Sequence, residues 1–136
     1  MVRRIFDTSI LISDWHQNAG KRPKRGSKRQ FETWGNQRAK ELIELHGSDL
    51  IATPVAIEFI AGVQSSDELR LARAFLKPFR VMDDGRILSE DWKEAERLAA
   101  RVPSDGRRRQ LGDCLIRAIA DRLNCEVLSL DKGFPA

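Results

Sequence analysis

The sequence has few cysteines and no long apolar run. Cys114 and Cys125 are its only cysteines, and no Cys/His spacing typical of a metal site surrounds them. His16 and His46 have the context of a loop and a helix end, so they do not suggest zinc either. Buried free thiols are therefore expected. The apolar runs are too short to span a bilayer, so no membrane association is expected.

The amino terminus lacks the pattern of a secretory signal. Arg3 and Arg4 lead into a short strand pattern that contains an acid, and no apolar h-region follows them. A cytoplasmic location is therefore expected. The 136 residues show no internal repeat and no linker long enough to divide them, so we predict a single domain over residues 1–136.

Positive charge is concentrated in two places, although the average composition is that of a soluble globular protein, with 41% apolar and 32% charged residues. The formal net charge is only +4. Such clusters predict a polyanionic partner. The commoner explanation of a charge run is a solubilising loop. The clustered cations, all candidates for RNA binding, are Lys21, Arg22, Lys24, Arg25, Lys28, Arg29, Arg107, Arg108 and Arg109.

The first basic cluster lies where the apolar periodicity disappears. Pro23, Gly26 and Ser27 interrupt any regular element, so we predict an exposed basic loop at about residues 16–30. Trp15, beside this loop, is a candidate for stacking on bases. Trp34 and Trp92 lie in helical patterns, which favours packing in the core or at an interface.

Short strand patterns alternate with helical patterns along the whole chain. Strands are predicted near 5–6, 49–52, 81–82 and 126–130, with helices near 31–46, 67–79, 89–101 and from 112 onward. A further helix is expected after Thr53 as N-cap, with Pro54 at its first position. The alternation predicts an α/β fold in which helices flank a short parallel sheet.

Four acids occupy strand ends or helix starts in this pattern. Asp7 follows the first strand, Asp131 follows the last, Asp113 begins a helix, and Glu58 lies one turn into another. In a parallel α/β fold such positions converge on one edge of the sheet. Their mutual repulsion would be severe without a cation, and an all-oxygen set suits Mg²⁺ or Mn²⁺.

Each of these acids also has an ordinary structural explanation. Asp7 and Asp113 could be helix N-caps, Asp131 a turn residue and Glu58 a solvated helix residue, while Thr8 or Ser9 would suit the first N-cap equally. The chain would then be a non-catalytic nucleic-acid-binding or scaffolding module. A phosphatase-like domain fits less well, because it would need a second acid where Ser9 stands.

Four stretches together resemble the PIN-domain ribonucleases, and in size and layout the VapC-type toxins of toxin–antitoxin pairs. They occur in the family's order and span nearly the whole chain. Two features depart from a minimal member: the long basic loop, and the early end of the chain after Phe134. The matching stretches are IFDTSILI at 5–12, TPVAIEFIAG at 53–62, GDCLIRAIA at 112–120 and VLSLDKGF at 127–134.

The resemblance implies a PIN-like fold and a divalent-metal-dependent endoribonuclease that acts as the toxin of a type II pair. It assigns catalytic roles to Asp7, Glu58, Asp113 and Asp131, of which Asp7, Asp113 and Asp131 would bind Mg²⁺ or Mn²⁺. Thr8 or Ser9 would help to hold the site. It further implies an RNA substrate, a cognate antitoxin protein, a homodimer and a higher toxin–antitoxin complex.

Overall fold

A computed structural model describes residues 2–101, 106 and 108–135 of the protein. Its centre is a four-stranded, fully parallel sheet. The strands are β1 (Arg3–Phe6), β2 (Leu50–Ile51), β3 (Arg80–Val81) and β4 (Cys125–Leu128), in the spatial order β3-β2-β1-β4. The inner strand β1 pairs over its full length with β4, and through Ile5 and Leu50 with β2.

In the described part of the chain, six α-helices and one 3₁₀ turn connect and cover the strands, so the predicted α/β class is confirmed. The elements are α1 (Thr8–Gln17), the 3₁₀ turn (Ala19–Lys21), α2 (Lys28–His46), α3 (Thr53–Ala61), α4 (Ser66–Leu76), α5 (Ser89–Ala99) and α6 (Leu111–Arg122). Helix α2 packs against α4, α5 packs against α6, and α3 contacts both α1 and α6.

An aromatic cluster joins α1, α2, α3 and α4. The Trp15 ring lies 5.7 Å from Trp34, 5.2 Å from Phe59 and 5.3 Å from Phe75, and Trp15 is only 4% exposed. The hypothesis that Trp15 stacks on bases is therefore wrong, because its faces are used in the core. Trp34 packs as predicted, whereas Trp92 lies on the surface of α5.

The predicted basic loop at 16–30 is shorter in the structure. Helix α1 continues to Gln17, the 3₁₀ turn follows, and α2 already begins at Lys28. Ser27 accepts a hydrogen bond from the Gln30 backbone N–H, and the Gln30 side chain accepts one from the Ser27 N–H. This capping box starts the helix before any apolar periodicity is visible. Lys28 and Arg29 are therefore helical.

The starts of α1 and α3 decide between the predicted N-caps. The N-cap of α1 is Asp7, one of the predicted alternatives, and neither Thr8 nor Ser9. The N-cap of α3 is Ala52, so Thr53 lies inside the helix. The Thr53 hydroxyl donates to the buried Asp83 carboxylate at 2.7 Å, and the Thr53 N–H donates to the same group.

Both cysteines are free and buried, as predicted. Among the helices of the described part of the chain, none is long and apolar enough to cross a membrane. Helix α2 ends at Gly47, whose φ of 68° is the left-handed conformation expected of a glycine stop.

Candidate active site

The site forms where the carboxyl ends of β1 and β4 meet the starts of α1 and α6. Asp7 directly follows β1, and its backbone N–H donates to the Leu128 carbonyl at 2.8 Å. This bond extends the pairing of β1 and β4 by one step, so the segment after β4 runs beside the first turn of α1. The strand-end convergence expected of a parallel sheet therefore holds for Asp7 and the residues after Leu128.

The Asp7 carboxylate is buried, at 2% exposure, and three donors orient it. Its Oδ1 accepts from the Thr8 N–H at 2.8 Å, while its Oδ2 accepts from the hydroxyls of Ser9 at 2.9 Å and Ser129 at 2.7 Å. The Ser9 hydroxyl also accepts from the Leu130 N–H. The N-cap and active-site interpretations of Asp7 are thus compatible, because one carboxylate caps the helix and faces the segment after β4.

Glu58 lies on α3 and reaches across to α1 and α6. Its Oε1 accepts from the Thr8 hydroxyl at 2.8 Å. A Cβ at Gly112 would lie 2.5 Å from Oε2 of Glu58, so this approach requires glycine at the start of α6. Burial raises the pKa of the Glu58 carboxyl, the Thr8 hydrogen bond lowers it, and the nearby charge of Asp7 raises it. Glu58 is therefore no solvated helix residue.

Asp113 lies in the first turn of α6, and it connects the four acids electrostatically. Burial, together with the negative charges of Asp7, Asp131 and Glu58, raises its pKa to about 7. A carboxylate feels such repulsion only from charges close to it. The structure therefore gathers all four predicted acids into one acidic site.

Asp131 combines a role in a turn with a place in the acidic site. Its N–H donates to the Ser129 hydroxyl at 3.0 Å, and its Oδ1 accepts from the Gly133 N–H at 2.9 Å. The predicted strand at 126–130 ends earlier, at Leu128. Because the chain turns there, Ser129 faces Asp7, and Asp131 is close enough to raise the pKa of Asp113.

The donor set and charge of the acidic site suit a hard divalent cation. Four carboxylates supply only oxygen ligands, and none of them is ion-paired with a lysine or arginine within residues 2–101, 106 and 108–135. In the same ranges, no three acidic, histidine or cysteine side chains are grouped closely enough to hold a metal as they stand. The acidic site therefore suits a divalent cation by the type of its ligands and by its uncompensated negative charge.

The predicted RNA-binding cations have different surroundings. The Arg22 guanidinium lies 4.4 Å from the Trp15 ring centroid, donates to the Trp15 carbonyl at 2.9 Å and pairs with Glu68. Arg109 donates to the Gly133 carbonyl, which ties the segment before α6 to the turn at Asp131. Arg107 lies outside the described residues. The remaining members are exposed: Lys21, Lys24, Arg25, Lys28, Arg29 and Arg108.

Two residues of the site were not predicted from the sequence. Ser129 contacts Asp7, and its sequence signal was a hydroxyl two positions before the acid that follows a strand. Gly112 makes room for Glu58, and its only signal was its place directly before Asp113. Neither residue type is chemically distinctive, so both depended on knowing which strand end and which helix they face.

The fold and site define a small parallel α/β domain with an acidic centre at one edge of its sheet. The PIN domain family model matches residues 4–136, and the chain therefore belongs to the PIN domain family. PIN domains are generally nucleases, a class of hydrolases, and they generally use divalent metal ions. Comparisons with curated proteins and with solved structures found no match.

Proposed function

We propose that this protein is a divalent-metal-dependent endoribonuclease and the toxin of a type II toxin–antitoxin pair. The observation that carries the nuclease proposal is geometric: Glu58 accepts from the Thr8 hydroxyl beside Asp7 and lies against Gly112 beside Asp113, so these acids meet at one edge of the sheet. The pKa of Asp113 rises to about 7 through burial and the charges of Asp7, Asp131 and Glu58. Repulsion of this kind destabilises the fold unless a cation offsets it, so its presence supports a cation-dependent function.

Asp7, Asp113 and Asp131 would hold Mg²⁺ or Mn²⁺. When bound, such an ion lowers the pKa of a ligated water and offsets charge on a phosphodiester. The hydrogen bonds from the Thr8 N–H and the Ser129 hydroxyl keep the Asp7 carboxylate oriented.

Glu58 is suited to orient a water and accept a proton from it. The Thr8 hydroxyl fixes one of its oxygens at 2.8 Å, while burial keeps its pKa above the ordinary value. A raised pKa brings a carboxylate closer to the neutral range in which a general base is most effective. Glu58 would thus act beside the ion-binding acids and need not ligate the ion directly.

RNA is proposed as the substrate on the basis of the family resemblance and the exposed cations. Acids alone would repel a polyanion, so an enzyme of this kind needs positive charge elsewhere on its surface. Lys24, Arg25, Lys28 and Arg29 supply it around the start of α2, and Arg108 lies just before α6. Backbone contacts of this type carry no sequence information, so they favour no particular RNA.

An antitoxin and a second toxin copy are the proposed protein partners. Support comes from exposed apolar side chains that flank the acidic site in sequence. Leu111, at the start of α6, is 68% exposed, and Leu130, between Ser129 and Asp131, is 61% exposed. Apolar residues beside a charged site are suited to a protein that covers it.

A cleavage assay tests the nuclease proposal. Labelled RNA should be cut with Mg²⁺ or Mn²⁺ and spared with EDTA, and Asp7→Asn or Asp113→Asn should abolish cutting while leaving the fold intact. Asp84→Asn is the matched control, because Asp84 is exposed and lies outside the acidic site. Full activity in both site variants would refute the proposal.

The alternative is a non-catalytic nucleic-acid-binding module, favoured by one observation. Asp7 caps α1, as a purely structural acid would. This alternative predicts salt-dependent RNA binding without divalent-dependent turnover, so the same assay separates the two functions.

Growth inhibition tests the toxin role separately. Expression of the wild-type chain should arrest growth, and Asp7→Asn should relieve the arrest. Co-expression of the proposed antitoxin should also relieve it and should yield a complex that copurifies. Arrest by wild type and Asp7→Asn alike would contradict the proposed role.

A further inference from the structure

A groove between α2 and α4 is lined mainly by cations, and we call it the basic groove. Its volume is about 510 Å³. One wall is the first turns of α2, and the other is the carboxyl-terminal half of α4 with the residue after it. The side chains that line it include Lys28, Phe31, Glu32, Arg70, Arg73 and Lys77.

The two helices that form the groove meet closely at one point. Gly35 is buried, and a Cβ there would lie 2.7 Å from the Ala74 Cβ and 2.8 Å from the Phe75 N atom. Helix α4 places Leu71 and Phe75 in the core. Arg70 and Arg73 then fall on the opposite side of α4, where both are exposed.

The four cations of the basic groove have no acidic partner in the part of the chain that the structure describes. Within the described residues, none of Lys28, Arg70, Arg73 and Lys77 forms an ion pair, and Glu32 pairs with none of them. Four cations against this one acid leave the groove strongly positive. By contrast, the arginines of α5 and α6 are paired, namely Arg97, Arg117 and Arg122, and so is Arg38 farther along α2.

Helix dipoles explain only part of this arrangement. Cations near the carboxyl end of α4 are favoured by its dipole, which accounts for Arg73 and Lys77. Lys28 is the first residue of α2, where the dipole disfavours a cation and where the first turn has no acid to offset it. A bound anion would relieve this unfavourable placement, so the groove is built for negative charge.

We propose that the basic groove binds backbone phosphates of an RNA strand. The inference deepens the proposed function and rests on it, because it takes RNA as the substrate. Arg70 and Arg73 can each hold a phosphate with two parallel N–H donors, while Lys28 and Lys77 act as point charges. From Arg70 to Lys77 the row of cations extends about 10 Å along α4, which is enough for more than one phosphate.

The basic groove is separate in the fold from the acidic site. Its residues belong to α2, α4 and the residue after α4, whereas the acids belong to the starts of α1 and α6, to α3 and to the turn after β4. The groove therefore holds the strand away from the cleaved bond. Binding there adds affinity without contributing a catalytic group.

Binding of RNA without turnover tests the inference. A fluorescein-labelled single strand is titrated with protein in EDTA over a range of salt, and its anisotropy reports the Kd. Arg70→Gln/Arg73→Gln should weaken binding roughly 20-fold near 0.1 M salt and reduce the salt slope by about 1.4, the value for two lost phosphate contacts. The matched control is Lys40→Gln/Lys93→Gln, which removes two exposed cations of α2 and α5 outside the groove.

Each outcome separates the basic groove from the nuclease proposal. Equal affinity and slope for the groove variant and the control would overturn the inference, as would a wild type that binds no RNA. If the groove variant instead keeps its affinity for RNA and loses affinity only for a polyglutamate probe, the groove binds an acidic protein segment. The inference is again wrong in that case. Asp113→Asn should bind RNA at least as tightly as the wild type. RNA binding in the groove can therefore be measured even with a variant that does not cleave RNA.

Discussion

The hydroxyl of Ser129 donates a 2.7 Å hydrogen bond to Oδ2 of Asp7, and so joins the segment after β4 to the first residue after β1. The same hydroxyl accepts from the N–H of Asp131. The Ser129 hydroxyl thus holds Asp7 by its carboxylate and Asp131 by its backbone N–H. This makes it the most informative neutral residue to change.

Ser129→Ala should reduce both stability and activity. A hydrogen bond to a charged group contributes about 1.5–3 kcal/mol, so the free energy of unfolding should fall by about 1–2 kcal/mol in urea titrations. RNA cleavage should fall roughly tenfold or more, the usual effect of removing a residue that orients a metal-binding side chain. Ser66→Ala is the control, because Ser66 is exposed on α4. Indistinguishable results for the two variants would contradict the positioning role.

Gly112→Ala should displace Glu58. The new Cβ would lie 2.5 Å from Oε2 of Glu58, so the carboxylate must shift from the place where it accepts from Thr8. Cleavage should fall, whereas Gly62→Ala, at a position with a nearest contact of 3.6 Å, should leave it unchanged.

The effect of Gly112→Ala on the free energy of unfolding should change sign when Glu58 is replaced by alanine. With the clash removed, Gly112→Ala should stabilise the fold by about 0.5–1 kcal/mol through helix propensity. A double-mutant cycle measured by urea unfolding gives the sign in each background. The same sign in both would show that Gly112 and Glu58 do not interact.

Asp113 should make stability depend on pH when no divalent ion is present. Its folded pKa of about 7 lies above the ordinary value of 3.8, so the native state binds the proton more tightly than the unfolded chain. The free energy of unfolding should therefore fall as the pH rises from about 4 toward 7. Asp113→Asn should remove the contribution of Asp113 to this decline. Thermal unfolding measured between about pH 4 and pH 7 checks this.

Addition of Mn²⁺ should counteract the loss at neutral pH. The ion binds the ionised acids of the folded state, so it should raise the Tm more at pH 7.5, where Asp113 is mostly charged, than at pH 5. Asp113→Asn should reduce the rise. An equal rise for both proteins at both pH values would show that the ion binds elsewhere.

Arg122→Met should strongly destabilise the fold. Asp91 is 1% exposed, and Arg122 donates to both of its carboxylate oxygens, at 2.7 and 2.9 Å. Removal of the guanidinium leaves a buried charge without its partner, which costs about 3–5 kcal/mol in urea unfolding.

Arg97→Met is the control for that loss. Arg97 pairs with Glu94 along the exposed side of α5, and such a pair contributes about 1 kcal/mol or less. Similar losses for the two variants would show that burial of Asp91 does not decide the effect.

Local signals predicted most of the elements, and helix ends were predicted best where one residue type decides them. Gly47 ends α2 because the left-handed conformation suits glycine. The start of α2 was misplaced, because the Ser27–Gln30 capping box precedes any apolar periodicity. Thr53 was predicted to be an N-cap, but the buried Asp83, 30 positions away, uses its hydroxyl instead.

The sequence by itself determined the α/β alternation, the resemblance to the PIN family and the four acids, because each depends on residue type and spacing over a few positions. Only the tertiary structure decided their partners. It joined Ser129 to Asp7 and Gly112 to Glu58, placed Arg22 on Trp15, and brought cations of α2 and α4 into one groove. Those contacts join elements far apart in the chain, so they depend on strand register and helix packing, which no local pattern records.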